Sequence, residues 1–370
     1  MTKYEKLAKT LVSYSCNIQK GERVLISQTS VDPEFIVVLI KEIRKAGGLP
    51  FVDNNITEIS KELLMGMTEE YADLKTKFML PMMKEMDAYI GLGGSNNIFE
   101  MSDVPTSFLN INSTHYMKPV HYEERVNNTK WVILRWPTPA FAQSANMSTQ
   151  EFEKLYFNVC TLDYCKMSKA MDGLVELMER TDKVRITAPN TDLTFSIKNQ
   201  LAKKCAGERN VPDGEVFTGP IKNSINGKIT YNVPTIYNGT RFANVCFEIE
   251  SGKIINATCN GLTEKLNKIL DTDKGSRYFG EFALGVNPYI TKPILDILFD
   301  EKICGSFHLT PGNCYDETPN GNKSAIHWDM VLCQLPEYGG GEIYFDDVLI
   351  RKDGRFVIKE LFALNPENLI

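Results

Sequence analysis

Residues 23–52, RVLISQTSVDPEFIVVLIKEIRKAGGLPFV, decide the fold class. Arg23 to Ser27 is an apolar run of strand length, and Asp32 followed by Pro33 supplies an N-cap and a first helical turn. The helix they open runs through Phe35 to Ile43 and is stopped by Gly47-Gly48; Leu49 to Val52 then reads as a second strand. A strand, a helix and a strand of these lengths make a β-α-β unit. Upstream, Tyr4, Leu7, Ala8, Leu11 and Val12 recur at helical spacing, up to a stop at Gly21. Downstream come more helix to about Phe78, the strand Ala88 to Leu92, an irregular helical stretch and the strand Lys130 to Trp136. The expected fold class is α/β, opening with a parallel-sheet domain over residues 1–145 whose sheet is covered on both faces.

Trp136-Pro137-Thr138-Pro139 breaks regular structure and marks the expected domain junction. Beyond it, Ser148 caps a helical stretch to about Met178, in which Met167, Met171 and Met178 read as core filler. After Asp182 the texture changes. Lys183 to Ala188 with Leu193 to Ile197, Val245 to Glu250 with Ile254 to Ala257, and Glu342 to Phe345 with Val348 to Ile350 each read as a hairpin around a short polar turn. Residues 146–370 are expected to form a β-rich, mixed α+β domain with metal-binding residues, and with short helices at Leu262 to Leu270 and Lys292 to Phe299.

A chain of 370 residues exceeds what one hydrophobic core usually supports, so two domains are natural. A net charge of −6 argues against a nucleic-acid partner, which needs a basic face. The start carries Lys3, Glu5, Lys6 and Lys9 among its apolar residues, unlike a signal peptide, and the aliphatic run Phe35 to Ile40 is too short to span a bilayer. The expectation is a cytoplasmic protein with no membrane partner. Nine cysteines without a C-x-x-C pair fit reduced thiols, and Cys160 and Cys165 read as packing residues. Gly91-Leu92-Gly93-Gly94 lacks the full dinucleotide fingerprint and any phosphate-loop lysine, so it reads as a tight turn. His115 and His121 read as surface or hinge residues.

The chemistry converges on Ser324 to Val331, SAIHWDMV. Written as a strand, it puts His327 and Asp329 on one face and Ile326, Trp328 and Met330 on the other. An imidazole and a carboxylate two residues apart are good ligands for Zn²⁺, Co²⁺ or Mn²⁺. His308 lies nineteen residues before His327, with Tyr315 seven residues after it. Glu281, in Gly280-Glu281-Phe282-Ala283-Leu284-Gly285, and Glu215, beside Val216 and Phe217, sit in apolar settings that ask for a partner. Two divalent ions bring four positive charges; Glu215, Glu281 and Asp329 bring three negative ones, and one hydroxide completes the balance. Five such ligands suit a pair of ions roughly 3.5–4 Å apart, which polarise a carbonyl and lower the pKa of a water. The expected reaction class is hydrolysis of an amide or ester.

The stretches PDGEVFTGP, GEFALG followed by NPYI, the His308 to Tyr315 segment and HWDM resemble, in order, the motifs of the thermophilic metallo-aminopeptidase family. The resemblance implies an enzyme that removes N-terminal amino acids from peptide substrates with two divalent metal ions, as a homodimer. It makes Glu215, Glu281, His308, His327 and Asp329 metal ligands and gives Tyr315 and Glu301 catalytic roles. Tyr315 matches a tyrosine near the metals that ligates an ion or donates to an oxyanion. Glu301 matches a family acid, here with two more residues before His308, and Gly312-Asn313-Cys314 departs from the usual Gly-rich loop. Two other readings stay open: a metal-dependent amidase or dipeptidase, and a non-catalytic peptide- or nucleotide-binding protein with a structural metal.

Overall fold

The computed structural model describes residues 1–237 and 239–370. They form two compact units, one of residues 1–161 with 207–212 and one of residues 162–206 with 213–370.

The first unit is built on the parallel strands β1 (Arg23–Thr29), β2 (Leu49–Asn55), β3 (Ala88–Gly93) and β4 (Lys130–Arg135), in the order β2-β1-β3-β4, with the short strand Asn210–Val211 added beside β4. Helix α1 (Pro33–Lys45) joins β1 to β2 as its cap residues dictate. The Asp32 carboxylate accepts from the Glu34 amide at 2.8 Å, and Gly47 leaves the helix at φ +86. Phe35, Ile36, Leu39 and Ile43 form its buried stripe. β3 is almost wholly buried, as a central parallel strand should be, whereas edge strand β2 leaves Leu49, Phe51 and Val52 exposed. The expected tight turn at Gly91 to Gly94 is instead the end of β3: the Gly94 amide still donates to the Thr29 carbonyl at 2.8 Å. The glycines serve close approach. A Cβ on Gly91 would lie 2.8 Å from the Tyr89 ring.

Trp136 is not at a junction but inside the first unit, stacked on Phe35 at 4.7 Å and edge-on to Tyr156 and Phe157. That aromatic cluster holds the helix Thr149–Cys160 in the first unit. The long helix expected from Ser148 to Met178 is broken at Thr161, and Asp163 caps a new one, α2 (Tyr164–Arg180), whose Met167, Met171 and Met178 are buried. Cys160 is buried, but Cys165 is exposed in the first turn of α2, so it is no packing residue.

His115 has the expected surface setting, whereas His121 does not. His115 pairs with Asp73 at 2.8 Å, and His121 lies half-buried under the sheet beside Tyr116, Tyr89 and Arg125. Burial, then the charges of Arg125 and Lys75, push the His121 imidazole down to about 4, with Asp53 opposing. Unfolded, the same ring titrates near pH 6.5, so the unfolded chain binds the extra proton as pH falls. Its contribution is complete above pH 6.5 and lost between there and about pH 4. Urea unfolding of His121→Gln is expected to lose roughly 2 kcal/mol less stability than wild type between pH 7 and 4.5. Parallel pH profiles of the two chains would refute this.

The second unit carries an eight-stranded sheet that includes the expected hairpins Lys183–Ala188 with Thr191–Ser196, Cys246–Glu250 with Lys253–Thr258, and Glu342–Phe345 with Val348–Lys352. Its second sheet comprises β5 (Ala202–Cys205), β6 (Glu215–Thr218), β7 (Phe279–Gly285), β8 (Ser306–Pro311) and β9 (Val331–Cys333), in the order β9-β8-β7-β6-β5, and all its neighbours are antiparallel. The helix expected at Lys292 to Phe299 shrinks to Ile297–Asp300. Pro293 disfavours helical geometry before it, Leu295 sits at φ +63, and Asp296 caps the short turn that remains.

Candidate metal centre

Three neighbouring strands deliver three of the side chains. Glu215 opens β6, Glu281 is the third residue of β7 and His308 the third of β8; all are buried. The Glu281 and His308 chains are neighbours in the antiparallel β7–β8 ladder, with Ala283 opposite His308. His327 and Asp329 come from a segment expected to be a strand. It is extended but pairs only locally, through a single bridge between His327 and Gly312, and the true strand β9 begins at Val331. The Trp328 amide donates to the Pro311 carbonyl at 3.1 Å and the Asn313 amide to the Ile326 carbonyl at 2.7 Å. This close approach needs Gly312 at φ +109, where a Cβ would sit 2.1 Å from the Ile326 oxygen. Alternation survives without the ladder: Ile326, Trp328 and Met330 are buried while His327 and Asp329 face the other way.

The five groups meet in two trios that share one carboxylate. Glu215, Glu281 and His308 form one, Glu281, His327 and Asp329 the other, and in each the donor atoms lie within 4.8 Å of one another. Glu281 faces both ways. Its Oε1 is 3.0 Å from His308 Nε2 and its Oε2 is 3.5 Å from His327 Nε2. His308 Nε2 is 3.5 Å from Glu215 Oε2, and His327 Nε2 is 3.2 Å from Asp329 Oδ1. Glu215 Oε2, Glu281 Oε2 and His327 Nε2 are buried with no hydrogen-bond partner. Such orphans are costly unless something binds there.

Around them, other groups set orientation. The His327 Nδ1–H donates to the Asn313 carbonyl at 2.8 Å, so Nε2 is the nitrogen that would turn its lone pair to a metal, as in metal-binding histidines. The Thr310 hydroxyl donates to Asp329 Oδ1 at 2.7 Å. Two imidazole nitrogens and three carboxylates, with orphaned atoms pointing at one another, fit divalent cations of the zinc, cobalt or manganese type.

Burial disfavours the charged forms throughout, and the neighbours decide the outcome. His308 rises to about 9, since the Glu281 hydrogen bond and the Glu215 charge outweigh burial. His327 rises to about 10 through Asp329, against burial. Burial pushes Glu281 up, whereas His327 holds Asp329 far below the usual carboxylate range despite burial.

A residue that the sequence reading missed completes the surroundings. Lys302 is 0% exposed, and its Nζ lies 3.0 Å from Glu215 Oε1, 3.8 Å from Asp213 Oδ1 and in contact with Glu301. Cys205, Asp213 and Glu215 form a third trio of ligand type, but the ammonium already supplies the cation there. The signal was present: Asp300-Glu301-Lys302 is a charged triplet between apolar Ile297-Leu298-Phe299 and Ile303-Cys304, and all three charges are buried. Glu301 lies beside the five-group cluster without joining either trio, and burial pushes its carboxyl well up. The Tyr315 ring stands 4.7 Å from the His327 ring and 5.7 Å from Phe217, with the side chain 46% exposed.

A unit that gathers two Glu and one His donor on adjacent antiparallel strands, and a His and an Asp from the extended segment beside them, has the donor set of a metal-dependent hydrolase, and the comparisons agree. Residues 1–356 match the family described as thermophilic metalloprotease (M29), and the chain belongs to that family. Aminopeptidase AmpS of Bacillus subtilis strain 168 is 23% identical over 371 residues, covering 90% of each chain. Aminopeptidase T of Thermus thermophilus is 24% identical over 377 residues, covering 89% of this chain and 91% of that one. The solved structure of wild-type AmpT from Thermus thermophilus shares the fold with a TM-score of 0.81 at 20% identity, over 96% of this chain and 99% of that one. As a member of a metalloprotease family, the chain uses a divalent metal.

Proposed function

We propose that the chain is an aminopeptidase in which two divalent ions, zinc, cobalt or manganese, are held by Glu215, Glu281 and His308 and by Glu281, His327 and Asp329. The carrying observation is the pair of donor trios joined through the two oxygens of Glu281. When bound, such ions polarise the scissile carbonyl and lower the pKa of the attacking water. Asn313 and Thr310 fix the orientation of His327 and Asp329, so the ligands need not reorganise on binding. The Lys302 ammonium holds Glu215 Oε1 and leaves Oε2 for the ion, and the Asp213 carboxylate 3.8 Å away offsets its charge. On this reading Tyr315, whose ring lies against His327, donates its hydroxyl to the tetrahedral oxyanion, and Glu301 is the buried carboxyl that holds a proton beside the site.

On this reading the substrate is a peptide with a free N-terminus. Exposed Leu49, Phe51 and Val52 lie on β2, the uncovered edge of the parallel sheet, which is compatible with a homodimer. No helix among the described residues is long and apolar enough to cross a membrane, which is compatible with a cytoplasmic enzyme. The test is release of p-nitroaniline from aminoacyl-p-nitroanilides by the metal-loaded protein, alongside the N-acetylated substrates. The free-amine substrates should react at least about a hundredfold faster in kcat/KM. Equal rates would favour the amidase reading instead.

A further inference from the structure

The first unit holds a cavity that none of the peptidase chemistry uses. It encloses about 250 Å³ between one face of the parallel sheet, the helix Glu69–Lys84 and the π-helical segment Ser113–Arg125. Its floor follows from the register. Asp53, Ser27, Gly91 and Ile133 lie side by side across β2, β1, β3 and β4, and the missing side chain of Gly91 makes room for the Tyr89 ring, which lines the cavity. Strand order reverses at β1, and Ser27 and Asp53 lie in the carboxyl-terminal halves of their strands, where open α/β sheets bind ligands. Met79, Met83, Met117 and Val120 make the roof apolar and adaptable.

The charged groups are unusual. Arg125 is more than nine-tenths buried, no hydrogen bond or ion pair to its guanidinium appears among the described residues, and its Nε and Nη1 have no partner. Its guanidinium carbon lies 5.0 Å from the centre of the Tyr89 ring and 4.7 Å from that of Trp131. Lys75 sits 3.8 Å above the Tyr116 ring, again without a carboxylate within ion-pairing distance. A buried cation such as Arg125 is normally paired, and aromatic faces compensate only part of its lost hydration; Lys75 is half-buried. Asp53 is the acidic group of the lining; its Oδ2 is already engaged by Ser27 and Asn55. Two cations, one carboxylate and a neutral imidazole leave one positive charge over.

We propose that this cavity is a binding site for a small organic monocarboxylate with an apolar body, its carboxylate received by Arg125 and Lys75 and its hydrocarbon by the methionines. A single negative charge matches the surplus. A phosphate dianion would overshoot it and face Asp53. The site lies wholly within the first unit and does not depend on the peptidase assignment.

Isothermal titration of the metal-loaded full chain with 4-methylpentanoate, 4-methylpentanamide and 3-methylbutylamine tests it. Saturable binding of the acid is expected, with the amide and the amine each at least about tenfold weaker, the scale of one charge-assisted contact. Lys75→Met, at a half-exposed position, and Arg125→Met, which breaks no hydrogen bond, should each weaken the acid at least about tenfold. Binding to the peptidase centre would show as competitive inhibition and persist in both variants. Absence of saturable binding, equal affinity for acid and amide, or unchanged affinity in both variants would overturn the proposal.

Discussion

Glu281→Gln is expected to lower kcat by at least about a thousandfold and to cut metal content below two ions per chain. The amide keeps the shape of the side chain but not its function. Glu281 presents one oxygen toward His308 and the other toward His327, and a glutamine has only one oxygen to offer. Whichever way the amide is turned, its NH₂ replaces one ligating oxygen: it has no lone pair to offer a cation and would instead donate to an imidazole nitrogen that a metal needs. The fold should survive, because burial already works against the ionised carboxylate and the substitution removes that charge. Elemental analysis beside steady-state kinetics separates the effects. A variant that keeps both ions and near-wild-type turnover would end the shared-carboxylate model.

The parts of the molecule legible in the sequence were those set by local chemistry. Asp32-Pro33 and Gly47 fix where α1 starts and stops, and Ser251-Gly252 and Asp346-Asp347, with positive φ, fix two hairpins. The five ligand-type residues were legible because acids and histidines in apolar strands conflict with their setting. What failed was decided by contacts distant in sequence. His327 and Asp329 keep strand alternation without a strand, because Gly312 and Asn313 supply the neighbour only at one bridge. The Gly91 to Gly94 run was shaped by Tyr89 and the β1 backbone rather than by its own turn preference. The apolar residues on either side of Asp300-Glu301-Lys302 hint at burial, but Lys302 was missed since its partners Glu215 and Asp213 lie almost ninety positions away.

Metal removal is the second large effect, and it should appear in protons as well as in rate. Chelation is expected to reduce turnover to under about 1%, recovered on adding a divalent ion. In the metal-free chain, burial opposes protonation of both imidazoles, but Glu281 and Glu215 lift His308 to about 9 and Asp329 lifts His327 to about 10. Both rings therefore hold an extra proton near neutral pH. A ligating imidazole must be neutral, so reloading the metal has to expel those protons. Titration near pH 7.5 in buffers of different ionisation enthalpy should show roughly two protons released per chain, falling toward none as pH passes 10. Metal affinity should correspondingly weaken as pH falls. Chelator-insensitive turnover, or reloading without proton release, would contradict the assignment. Lys302 stays with Glu215 and Glu301 whether or not the ions are present: burial opposes its charge, but the surrounding carboxylates raise its pKa well above the usual value. The ammonium thus remains in the stripped chain beside the two protonated imidazoles. The chain should stay folded and lose only the linkage term, a melting temperature lower by several degrees that returns with the metal.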